Sequence, residues 1–126
     1  MSVDDPRLRR LAEICLALPE TTREDSGRHA TFRIQRRAFA YWLDDHHGDG
    51  IVGIVCKARW GEADALVAAD PERFYKPAYV GPRGWVGLRL DGGEIDWTEV
   101  TDLVTESYLS MAPKKLAEMV GEGRRP

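Results

Sequence analysis

Hydrophobic positions recur with a helical period from Pro6 to Leu18, where Leu8, Leu11, Ala12, Cys15 and Leu18 fall three or four residues apart. Arg7, Arg9, Arg10 and Glu13 take the wet side, and Pro6 suits a first-turn position. Proline 19 ends the helix. The polar segment that follows predicts a short strand over Thr21 to Asp25, with Gly27 as a turn. The period then falls to two. Ala30 to Gln35 sets Phe32 and Ile34 against Thr31 and Arg33, and Ala38 to Asp44 sets Phe39, Tyr41 and Leu43 against Ala40 and Trp42, which predicts a hairpin joined through Arg36 and Arg37. From Gly50 to Lys57 the chain is apolar on both faces, the pattern of a central strand.

Gly61 to Ala69 returns to helical spacing, and Asp70-Pro71 stops it because a residue before proline disfavours the α region. The stretch FYKPAYVGPRGWVGLRLD, from Phe74 to Asp91, comes next. Pro77, Gly81, Pro82 and Gly84 predict a shaped turn in its first half. In its second half Val86, Leu88 and Leu90 alternate with Trp85, Gly87 and Arg89, so the first set is core and the second faces outward. A large ring, a bare glycine and a cation share that outward face, which marks it as a place for a partner. After Gly92-Gly93, Asp96 is a good N-cap with Glu99 three residues on, and Trp97, Val100, Val104, Tyr108 and Met111 form the stripe of the longest helix. Pro113 opens a last helix through Met119 and Val120, before the frayed end GEGRRP.

The order is helix, three or four strands, helix, two strands and two helices. It predicts an α+β domain, a two-layer sandwich with a mostly antiparallel sheet and helices on one side. With 126 residues and neither repeat nor linker, residues 1–126 read as one domain. A hydrophobic share of 43% with 31% charged residues is that of a soluble globular protein, and no apolar run reaches the ~20 residues of a membrane span. Membrane partners are not expected. The first residues, MSVDDPRLRR, lack a secretory signal, and two cysteines without metal-ligand spacing fit a reducing cytoplasm. A net charge of −3 argues against a dedicated nucleic-acid binder but leaves room for a local basic patch.

Candidate chemistry is sparse. Asp44, Asp45, His46, His47 and Asp49 crowd one loop, yet neighbouring histidines on a hairpin tip rarely converge on one ion, so the loop reads as a solvated turn and no metal is assigned. Cys15 and Cys56 sit on apolar faces and read as core thiols. His29, near Ser26 and Asp25, reads as a structural hydrogen-bonding residue, and no nucleophile with a paired base stands at recognisable spacing. GPRGWVG lacks the Gly-Lys-Ser/Thr ending of a phosphate loop and leads into a strand rather than a helix. The expectation is a protein that is not an enzyme and needs no cofactor. Lys114 and Lys115 open a helix, where exposed cations oppose the dipole by about 0.3–1 kcal/mol each.

Trp42, Trp85, Arg33 and Arg89 are expected on one sheet face, the combination that stacks bases and holds phosphates, unless a helix covers the rings. Lys76, Tyr79, Arg83 and Lys114 extend this set of nucleic-acid or ligand-binding candidates around the aromatic turn. A basic patch there favours DNA, an apolar patch another protein, and a deep pocket a small ligand.

The runs HATFRI from His29, DPERFYKPAYVGPRGWVGLRLD from Asp70 and SYLSMAPKKLA from Ser107 resemble the MmcQ/YjbR family of small bacterial proteins over nearly the whole chain. The resemblance implies a two-layer fold similar to secretion chaperones. It also implies a DNA-binding or double-wing label that rests on fold similarity, with no catalytic residues to carry over. Ala78 stands where the family usually has a second proline after Pro77.

Overall fold

The computed structural model of the chain describes residues 5–59, 61–78 and 80–124. Helix α1 (Pro6–Leu16) begins where the Asp5 carboxylate accepts the Arg7 N–H at 2.8 Å. Four strands follow: β1 (Thr21–Ser26), β2 (His29–Ile34), β3 (Arg37–Asp44) and, after a 3₁₀ turn at His46–Gly48, β4 (Val52–Lys57). Then come α2 (Glu62–Ala69), the two-residue β5 (Phe74–Tyr75), a 3₁₀ turn at Gly81–Arg83, β6 (Trp85–Arg89), α3 (Trp97–Met111) and α4 (Lys114–Arg124). The six strands form one sheet in the order β1-β2-β3-β4-β6-β5, and every neighbouring pair is antiparallel. This is the expected α+β architecture, with β4 in the middle. Helix α4 runs four residues past Val120, and α1 stops two residues short of Leu18.

Residues directly opposite in a ladder share a face. One face therefore carries Ala30, Phe32, Ala40, Trp42, Ile54, Cys56, Val86 and Leu88, and all of them are buried with Leu8, Leu11 and Cys15 of α1 and Val100, Val104 and Tyr108 of α3. Val86, Leu88 and Leu90 point to the helices, as their alternation predicts. The Asp96 carboxylate caps α3 by accepting the Thr98 and Glu99 N–H groups.

Two local features depart from simple alternation. The β2–β3 turn is Gln35-Arg36 rather than Arg36-Arg37, with Gln35 in the left-handed region at φ 56°. The β2–β3 register also shifts between Phe32 and Arg33, leaving Phe39 as an extra residue in β3. The bulge turns Phe39 into the core, where it meets Tyr108 edge-on at 5.3 Å, instead of leaving it beside Tyr41 and Leu43. It also ends the β3–β4 ladder at Ala40 and Cys56. Ser107 of α3 fills the gap, since its hydroxyl accepts the Lys57 N–H at 2.9 Å and donates to the Phe39 carbonyl. The groups freed by the bulge are thus satisfied by a helix, and the end of β4 is pinned.

Candidate functional site: a turn between a basic cleft and an apolar hollow

Residues 75–84 lead from β5 to β6, and among the described residues Tyr75, Pro77, Ala78 and Val80 face one hollow while Lys76 and Gly81–Gly84 border another cleft. Tyr75 pairs with Gly87, and its ring lies flat where a side chain on residue 87 would be: a Cβ there would stand 2.2 Å from Tyr75 Cζ. Glycine is required by this approach. Lys76 then turns away towards α2, and Pro77 turns back. The Gly81 N–H donates to the Pro77 carbonyl at 3.0 Å, the Arg83 N–H to Val80 at 3.0 Å, and the Ala58 N–H of the chain leaving β4 to the Gly84 carbonyl at 3.0 Å. Gly84, at φ 88°, makes the left-handed step into β6.

On the α2 side the turn borders a cleft of about 550 Å³ whose charged lining is Lys57, Lys76, Arg83 and Asp64. Lys76 pairs with Asp64. Arg83 is exposed and has no ion pair among the described residues. Lys57 ends β4, opposite Trp85. The same end of the sheet carries Arg36 and Arg37 at the β2–β3 turn, and Arg37 donates to the carbonyl of Met111 at the end of α3, beside Lys114 and Lys115. Glu20, just before β1, also stands at this end, while the aspartates of the β3–β4 loop and Asp91 collect at the opposite one. There Asp44 holds Arg28 at 2.6 Å and Asp91 holds Arg89 at 3.2 Å. Burial raises the Asp91 pKa, but the Arg89 hydrogen bond and the Val52 N–H outweigh it and hold the carboxyl below its usual value. The groove between α2 and α3, which shares Lys57 and Ala58 with the cleft, carries Glu62, Glu99, Asp102 and Glu106, with Arg59 held by Glu106.

On the sheet side the turn roofs a hollow of about 280 Å³. Across the helix-free face the ladder sets Tyr75, Gly87, Val55 and Tyr41 in one row. Val55 is the floor, the tyrosine rings are walls, and Pro77, Ala78 and Val80 close the top, with His46 and Asp49 at the rim. The Tyr75 phenol is pushed up to about 12, first by burial and then by Asp49 and Asp91.

The placement of the sequence candidates divides them. Lys76 and Arg83 meet in one cleft. Arg89 lies elsewhere, in a hollow with Asp70, Glu72 and Glu94, and Lys114 stands at the basic end of the sheet without lining the cleft. Trp42 and Trp85 do not share a face. Trp42 is fully buried beneath the helices with the Arg7 guanidinium 5.8 Å from its ring, whereas Trp85 is on the opposite face, only 6% exposed and 5.6 Å from Tyr41. Register decides this, because Trp42 pairs with Ile54 and Trp85 with Lys57, one step out of phase. Neither ring is a free stacking platform. Arg33 is on the helix-free face, half-buried beside Glu24 at 3.4 Å. Tyr79 lies outside the described residues.

Lys57 escapes a sequence reading because its cross-strand partner is unknown without the register. Tyr41, Val55 and Tyr75 had a signal, the bare Gly87 on the outward face. The aspartate-rich loop is committed structurally: Asp45 accepts the Gly50 N–H at 2.7 Å, Asp49 accepts the Ile51 N–H at 2.9 Å, and His46 meets His29 edge-on at 5.3 Å. His29 Nδ1 accepts the Asp44 N–H at 3.2 Å, the structural role expected of it. Burial pushes the Cys56 thiol up to about 12 and that of Cys15 higher still, which leaves both poor nucleophiles.

A family model described as YjbR matches residues 16–110. No curated protein matches the chain. Among solved structures, the crystal structure of Deinococcus radiodurans protein DR2400, a DUF419 domain, is similar with a TM-score of 0.69 at 19% identity, covering 90% of this chain and 87% of that one. At that identity the likeness shows the shared fold.

Proposed function

The chain belongs to the YjbR family, and from that premise we propose that it is a non-enzymatic cytoplasmic module that holds the phosphate backbone of DNA at the basic end of its sheet. The observation that carries this reading is the segregation of charge along the strands. Lys57, Lys76 and Arg83 share a cleft in which Asp64 is the one acid, and Arg36, Arg37, Lys114 and Lys115 continue the basic end beyond it. Carboxylates gather at the other end and between α2 and α3. A polyanion repelled by a net charge of −3 meets attraction at one place, which orients it before contact. Trp42 and Trp85 are covered, so the reading is of backbone contact without stacking on those rings. No helix among the described residues is long and apolar enough to cross a membrane. The buried, poorly nucleophilic thiols and the occupied His29 ring support a binding role over a catalytic one.

Two double variants with the same change of net charge test the proposal. Lys57→Glu with Arg83→Glu should weaken binding of labelled duplex DNA at low salt by about tenfold or more, and Arg28→Glu with Arg89→Glu should change it by about threefold or less. Equal effects of the two pairs, or no binding by the parent at low salt, would sink the reading. The alternative reading, a partner on the helix-free sheet face, concerns a different surface and is favoured by the hollow under Tyr75.

A further inference from the structure

We propose that the hollow lined by Tyr75, Pro77, Ala78 and Val80 is a site for a small amine, its ammonium beside Asp49 and its aromatic or alkyl body between the rings of Tyr41 and Tyr75. This goes beyond DNA binding and is independent of it. A hollow of about 280 Å³ is at the lower limit of ligand pockets, which points to one ring with a short tether rather than a nucleotide. Its floor and roof are Val55, Pro77, Ala78 and Val80, all apolar.

The charges near it favour a cation. Among the described lining residues Asp49 is the one carboxylate and there is no lysine or arginine. Asp49 Oδ1 accepts the Ile51 N–H at 2.9 Å, which fixes the carboxylate and leaves Oδ2 for a ligand. Arg89, whose charge acts on Tyr75, is committed to Asp91. The two tyrosine rings offer negative faces to an ammonium, and their hydroxyls have no hydrogen-bond partner among the described residues. Gly87 keeps the space open by letting Tyr75 lie down against the sheet.

Three probes with one body and different charge test this on the full chain: phenethylamine, 2-phenylethanol and 3-phenylpropanoate. The amide signals of Val55 and Gly87 are followed by NMR during each titration. Phenethylamine should saturate in the millimolar range, about fivefold or more tighter than the alcohol, and the carboxylate should bind more weakly still. Asp49→Asn, which keeps the acceptor for Ile51, should lower the amine to the affinity of the alcohol and leave DNA binding unchanged. Equal affinity for all three probes, an amine preference that survives Asp49→Asn, or no saturable shift at Val55 and Gly87 with phenethylamine would each overturn the proposal.

Discussion

The two sides of the 75–84 turn come from one short segment, yet they are held in place by different physics. Towards the sheet, Tyr75 pairs with Gly87 and lies close over it, while Pro77, Ala78 and Val80 share an apolar hollow with Val55 and Tyr41, and the Tyr75 approach sets the path of the chain. Towards α2, Lys76 and Arg83 stand in water, with one ion pair between Lys76 and Asp64. Exposed pairs of that kind contribute little to stability. The apolar side therefore fixes the conformation, and the basic side is free to carry binding. Substitutions on the two sides should separate stability from affinity.

The largest expected effect lies beneath both sides. Val86→Asp puts an unpaired charge into the core between sheet and helices, where Val86 is 1% exposed, and should lower the unfolding free energy by roughly 3–5 kcal/mol. An unchanged thermal melt would mean that this strand face is not core. One residue on, Gly87→Ala tests the sheet side of the turn. The added Cβ meets the Tyr75 ring, so overpacking should cost about 1–3 kcal/mol and close the hollow, while DNA affinity stays within about threefold. If both properties fall together, the two sides are not separable. The smallest effect concerns pH. The Tyr75 phenol has a folded pKa raised above the ordinary value of 10, so the stability it contributes is fully present below pH 10 and is lost as pH rises through about 12. Ultraviolet titration should show two tyrosines ionising late, Tyr75 and Tyr108, whose phenol is also pushed up by burial, and Tyr75→Phe should remove one of the two late steps and its share of the alkaline loss of stability.

Much of this architecture is legible from periodicity alone. Helix α3 follows from its stripe and the Asp96 cap, and β6 from the alternation of Val86, Leu88 and Leu90. The site is less legible because it depends on register. Trp42 and Trp85 read as neighbours until pairing puts them on opposite faces, and the Phe39 bulge, which no propensity announces, ends the β3–β4 ladder at Cys56 and leaves the Lys57 N–H to Ser107. Arg89 looks equivalent to Arg83 in sequence. Folding pairs it with Asp91 and sets it in a hollow with Arg73, Asp70, Glu72 and Glu94, where acids outnumber cations. Gly87 was the visible clue, since a glycine on an outward strand face needs something lying on it.

The central claim is that a protein of net charge −3 binds DNA through a few cations gathered at one end of its sheet. Its most direct measurement is the salt dependence of that binding. Titrating labelled duplex DNA into the protein at stepped salt should give log K falling linearly with log salt, with a slope near −0.9 for each phosphate neutralised. Removing the charges of Lys57 and Arg83 by substitution to Gln should make the slope shallower by about two units. A slope that those substitutions leave unchanged, or binding that does not depend on salt, would contradict the account.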